Sequence, residues 1–103
     1  MKGFGDLQKM LKNAQEMQER LQRELADLRV EGSSGGGMVT VVLDGQKNLH
    51  SLRLDPEVVN RDDLEMLQDL VVAAFNDASA KVNDILSQKL GGLGAGLKIP
   101  GLG

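Results

Sequence analysis

The sequence predicts an α+β domain made of a long N-terminal helix, a three-stranded antiparallel meander and a long C-terminal helix. Three observations carry this expectation: apolar residues at helical spacing from Leu7 to Leu28, short alternating runs between glycine-rich turns in the middle, and a second, wider helical stripe from Leu64 to Leu86. The 103 residues suffice for one domain. Only 2% of them are aromatic, with no Trp or Tyr, so any core is aliphatic and thin. A partner subunit is the expected remedy.

In the first helix Leu7, Met10, Leu11, Ala14, Met17, Leu21, Leu25 and Leu28 recur at three- and four-residue steps, with Gln, Glu, Lys and Arg between them. Written as heptads, Leu7, Ala14, Leu21 and Leu28 share one position and Met10 and Met17 another, until Glu24 interrupts the second series. The seam is short and coiled-coil-like. At ~1.5 Å per residue such a helix outreaches a small sheet, so part of it must project or pair with another chain.

Val30-Glu31-Gly32 reads as the first strand, Ser33 to Gly37 as a turn, and Met38 to Asp44 as the second strand, with Val39, Val41 and Leu43 on one face. Asp44-Gly45 opens the next turn, and Leu52 and Leu54 alternate in a third strand that ends at Asp55-Pro56. Loops this short permit only an antiparallel meander. Asp62, with Glu65 three residues on, forms the expected cap of the second helix. Leu67, Val71, Phe75 and their periodic neighbours should cover the sheet, Lys89 lies in the expected last turn, and Gly91-Gly92 marks the stop. Residues 1–90 are therefore read as one domain and 91–103 as a Gly-rich tail expected to be mobile.

Composition removes several classes of function. With no Cys, a disulfide framework, a thiol nucleophile and Cys-containing zinc sites are excluded. His50 stands alone and reads as a polar residue at a strand end. The glycine run lacks the Lys-Ser/Thr of a nucleotide loop and lies between strands, so it reads as a hairpin connection. Asp62, Asp63 and Glu65 suit the dipole of a helix start, which accounts for them without a metal. Nothing unites a nucleophile, a base and oxyanion donors, so no enzyme, cofactor or small-molecule substrate is expected. No apolar run reaches the ~18 residues of a membrane span, and the chain is read as soluble and cytoplasmic.

Three stretches stand out: Val30 to Val41 with its spaced glycines, Leu54-Asp55-Pro56, and Glu65 to Ala78, whose Ala73-Ala74-Phe75-Asn76-Asp77-Ala78 run is the most distinctive. Together they closely resemble the YbaB/EbfC family of bacterial nucleoid-associated proteins. The resemblance implies a homodimer with projecting helices, likened to tweezers, that binds double-stranded DNA and is associated with the nucleoid.

The chemistry of such binding must overcome a net charge of −3. The charges are segregated. Lys2, Lys9 and Lys12 face only Asp6 within residues 1–12, and Lys81, Lys89 and Lys98 face only Asp84 within residues 81–103, while the middle holds six cations against thirteen carboxylates. A meander brings the end of the second helix back toward the projecting first helix, so both basic ends are expected at one tip. Lys2, Lys9, Lys12, Lys89 and Lys98 are the expected phosphate contacts. Arg20 and Arg23 are secondary, since Glu16, Glu19, Glu24 and Asp27 sit at pairing distance along the helix. Leu7, Met10, Met17, Leu21, Val39, Val41, Leu67, Val71 and Phe75 are the expected dimer and core positions. The alternative reading is a protein-interaction adaptor that uses the exposed first helix and the tail residues Leu93, Leu97, Ile99 and Leu102.

Overall fold

The computed structural model describes residues 2–94, with side chains for residues 3–90. Helix α1 spans Lys2–Asp27, strands β1, β2 and β3 span Val30–Ser34, Val39–Leu43 and Leu49–Leu54, and helix α2 spans Leu64–Gly94. The sheet is antiparallel in the order β1-β2-β3, the expected meander.

Helix α1 begins earlier than its apolar stripe, running through Gly3 and Gly5. Its side chains are exposed from Gly3 to Arg20, and only Leu21 and Leu25 are half-buried. The helix therefore projects as an arm, and the molecule measures 74 × 30 × 16 Å. Leu7, Met10 and Met17 are more than half exposed and do not belong to the chain's own core.

Val39, Val41 and Leu43 are fully buried, as strand alternation requires, together with Val30, Val58, Ala74, Ala78 and Val82. Leu67, Val71 and Phe75 are partly buried against this cluster. Helix α2 runs antiparallel to β1: Ser34 Oγ donates to the Leu70 carbonyl at 2.5 Å, Ser33 N–H to Asp77 at 3.0 Å, and Lys81 Nζ to the Glu31 carbonyl at 3.2 Å. The approach is close enough that a Cβ on Gly32 would meet the Ala74 carbonyl oxygen at 2.5 Å and Ala78 Cβ at 2.6 Å. Small residues on both elements make the contact possible.

Helix α2 covers β1 and β2 without a comparable contact to β3. Leu54 pairs with Val39 and Leu52 with Val41, so both leucines share the face of the buried valines. They nevertheless remain 38% and 44% exposed. The helix predicted to cover the sheet thus leaves its third strand open.

Both ends of α2 differ from the sequence expectation. Asp63, not Asp62, supplies the cap, its carboxylate accepting from Met66 N–H at 3.1 Å, because the helix begins at Leu64. Asp62 lies in the preceding turn, its N–H bonded to the Asn60 side chain at 2.9 Å. At the far end the helix passes through Gly91-Gly92 to Gly94, so Lys89 lies before the last turn. The expected tail residues 95–103, Lys98 among them, lie outside the described residues.

The Gly35–Gly37 turn uses positive φ at all three glycines, from +60° to +94°, which joins β1 to β2 without side-chain strain. The β2–β3 turn is organised differently. Asp44 is buried, and its carboxylate accepts from Gln46 N–H at 2.8 Å, Asn48 N–H at 3.0 Å, Asn48 Nδ2 at 3.0 Å and His50 Nε2 at 2.9 Å. A register shift between Val42 and Leu43, which pairs Leu43 with Leu49, leaves His50 as the extra residue of β3 and lets it reach Asp44. The bond from His50, joined by those from Asn48 and Gln46 and opposed by burial, holds the Asp44 carboxyl well below the usual carboxylate range.

Gly32→Ala forces β1 and α2 apart and should lower stability by about 3 kcal/mol. The measurement is urea unfolding at neutral pH, where a wild-type midpoint would contradict this packing. Asp44→Asn should lower the melting temperature at pH 7 and weaken acid sensitivity. A carboxyl depressed in the folded state stabilises above its unfolded value of about 3.9, and that contribution is lost as the pH falls through the folded value. Wild-type stability should therefore fall more steeply than that of the variant below about pH 4, and parallel thermal melts across that range would contradict the assignment.

Candidate nucleic-acid interface

The exposed arm places its charges by simple helix geometry. At about 100° per residue, Lys9, Lys12, Arg20 and Arg23 fall within an arc of about 80° on one face of α1. Leu7, Met10, Ala14, Met17 and Leu21 lie on the opposite side. Polar and apolar functions are thus separated around the arm.

Charge is also graded along it. The outer part carries Lys2, Lys9 and Lys12 with Asp6, whereas the inner part carries Arg20 and Arg23 with Glu16, Glu19, Glu24 and Asp27. Lys9, Lys12 and Arg20 make no ion pair among the described residues. Arg23 donates from Nε to the Glu19 carbonyl at 3.5 Å, a contact with the backbone in place of the expected carboxylate pairing. Lys2 lies in the first turn of α1.

The second basic end goes elsewhere. Lys89 Nζ lies 3.8 Å from Glu24 Oε2. Helix α2 therefore returns alongside α1, as expected, but it meets the inner part of the arm. Lys12 lies twelve residues further out, or about 18 Å along the helix. Lys89 is thus not brought to the outer tip. Lys81, counted with this basic end, pairs with Asp77 at 3.2 Å and also bonds to the Glu31 carbonyl. Asp77, bonded to Ser33 N–H and Lys81, is lowered in pKa by those two partners, and this pair serves the α2–β1 contact.

Sequence spacing did not expose two features. One is the bond from Gly45 N–H to the Leu25 carbonyl at 2.7 Å, which ties the β2–β3 turn to the inner end of α1. The other is Arg53, exposed opposite Thr40 on the outer face of the sheet, with no carboxylate partner among the described residues. Asp55, near Arg53 in the sequence, has its carboxylate bonded to Glu57 N–H. Among the described residues no group of acidic or histidine side chains is arranged to hold a metal, and no helix is long and apolar enough to cross a membrane.

Comparison with known proteins agrees with this architecture. Residues 2–97 match the model of the YbaB/EbfC DNA-binding family. A nucleoid-associated protein of Pelotomaculum thermopropionicum is 46% identical over 101 residues, covering 95% of this chain and 96% of that protein. One of Exiguobacterium sibiricum is 47% identical over 105 residues, covering 99% of each. The crystal structure of an uncharacterized protein from Helicobacter pylori superposes with a TM-score of 0.74 at 26% identity, covering 87% of this chain and 95% of that one. The chain belongs to the YbaB/EbfC DNA-binding family.

Proposed function

We propose that this protein binds double-stranded DNA as a homodimer, meets phosphates through the outer cationic face of α1, and helps organise the bacterial nucleoid or regulate genes within it. The observation that carries this reading is the exposed arm on which Lys9 and Lys12 face solvent without carboxylate partners among the described residues. Both lysines lie well inside α1, beyond its first turn, so neither serves to cap or start the helix, and nothing in the fold employs their charge among the described residues. With two Phe as the chain's aromatic residues, stacking on unpaired bases has little support, and duplex phosphate contact is the mode that fits. Arg20 extends the same face, and Lys2, in the first turn of α1, is a further proposed contact. Lys89, expected as a primary contact, becomes secondary because it meets Glu24 on the inner part of the arm, and Arg23 stays secondary; Lys98 lies outside the described residues.

A second copy supplies what the single chain lacks. Leu52 and Leu54 line an open continuation of the core face, and Leu7, Met10 and Met17 form an uncovered seam. Pairing two chains would bury these side chains and set two arms around one duplex. The acidic chain and a groove of about 430 Å³ along Ala14, Met17 and Leu21 favour the adaptor reading instead.

Mobility-shift titration of duplex DNA at 50 and 200 mM salt separates the two readings. Few phosphate contacts should give modest affinity that falls at least about tenfold over this range. Lys9→Glu with Lys12→Glu should abolish the shift without altering the dimer; undiminished binding would remove these residues from the site. Salt-independent association with protein partners, and none with DNA, would favour the adaptor. Light scattering at micromolar concentration should return twice the chain mass, and a monomer would contradict the pairing.

A further inference from the structure

We infer that the Asp44-Gly45 turn is an anchor that sets the direction of the α1 arm, with Gly45 as its positioning residue. The inference rests on the reading that α1 contacts DNA, but its structural part is independent of that reading. Only Leu28 and Arg29 separate α1 from β1, and beyond this short link the arm has few ties to the body. Its side chains are exposed as far as Arg20, and the Lys89–Glu24 pair is an exposed contact of the kind that restrains little.

The last turn of α1 shows where the restraint lies. Its final carbonyls need partners, because a helix end leaves them without intrahelical donors. Leu28 N–H bonds to the Glu24 carbonyl at 3.1 Å, and Arg29 reaches the Ala26 carbonyl at 2.8 Å. The Leu25 carbonyl receives Gly45 N–H at 2.7 Å, from a turn twenty residues away in sequence. This bond fastens the arm to the β2–β3 turn, which lies at the same end of the sheet as the start of β1.

Only glycine allows that approach. A Cβ at position 45 would stand 2.7 Å from the Leu25 carbonyl oxygen and 2.9 Å from its Cα, both backbone atoms that cannot move aside unless α1 moves. Gly45 is not held at positive φ, so the effect of a side chain here falls on the arm and not on the turn's own backbone. Asp44 stiffens the same turn by gathering Gln46, Asn48 and His50 on its carboxylate, and Lys47 N–H closes it on the Asp44 carbonyl at 3.0 Å.

The arm amplifies any change at this point. Lys9 lies sixteen residues from Leu25, or about 24 Å, so a tilt of about 10° moves its Cα by about 4 Å. That displacement is comparable to the separation within a phosphate contact.

The test uses Gly45→Ala in the full chain. Since the protein has no native Cys, Gln8→Cys and Ser51→Cys accept a pair of spin labels at exposed positions, with the labelled chain diluted into unlabelled protein. The arm-to-sheet distance should be narrowly distributed in the parent and shifted or broadened by Gly45→Ala, with the dimer preserved and DNA affinity reduced about tenfold. An unchanged distance distribution would overturn the anchor. Should Gly45→Ala fail to fold, hydrogen exchange of the Gly45 amide in the parent decides: protection of about a hundredfold supports the bond to Leu25, and free exchange overturns it. A shifted arm in a protein whose parent does not bind DNA would leave the anchor standing and refute the DNA reading instead.

Discussion

The close seating of α2 on β1 governs the rest of the molecule. Gly32 leaves room for the backbone of α2 at Ala74 and Ala78, and the fully buried valines and leucine of β2 fill the remaining space beneath the helix. Because the helix sits so near β1, one helix covers two strands and not three. The uncovered apolar face of β3 is the direct consequence. The same seating fixes the line of α2, which leaves the sheet beside the start of β1 and passes along the inner part of α1, where Lys89 approaches Glu24. A small aliphatic core, an open third strand and a projecting arm are thus parts of one arrangement.

That arrangement makes DNA binding by an acidic chain physically coherent. Long-range repulsion from phosphate scales with overall charge, but contact is decided by the charges that can reach the duplex. The surplus of carboxylates lies between residues 13 and 80, whereas the outer arm is cationic and stands clear of the body. Apolar residues lie on the side of α1 away from Lys9 and Lys12. One side of the arm can therefore face a second chain while the other faces solvent or nucleic acid, and neither role displaces the other.

Much of the fold is legible in the amino-acid order because its signals are local. Helical spacing located both helices, alternation of Val39, Val41 and Leu43 located the buried strand, and Asp44-Gly45 and Asp55-Pro56 located turns. The errors lie where local signals tie or where tertiary contact decides. Asp62 and Asp63 are equally good caps, and the choice between them depends on where the preceding turn releases the chain. The glycines near both helix ends lower helix propensity without preventing helix, so α1 starts before its stripe and α2 outlasts its predicted stop. Alternation marked Leu52 and Leu54 as strand residues, but periodicity carries no information on whether anything covers them. For the candidate site, counting charges along the chain found the cationic arm yet could not reveal that Lys89 meets Glu24, nor that Gly45 reaches Leu25, since both depend on how distant segments pack.

The proposed function requires duplex DNA to engage the outer polar face of α1 while the sheet and its helix serve as a support. Titration of the isotopically labelled protein with a short duplex, followed through backbone amide and lysine side-chain resonances by NMR, distinguishes this from contact through the sheet. Changes should be concentrated between Gln8 and Arg23, largest at Lys9 and Lys12, with the amides of Val39, Val41, Ala74 and Ala78 unmoved. Changes confined to the strands or to α2, with α1 silent, would contradict it.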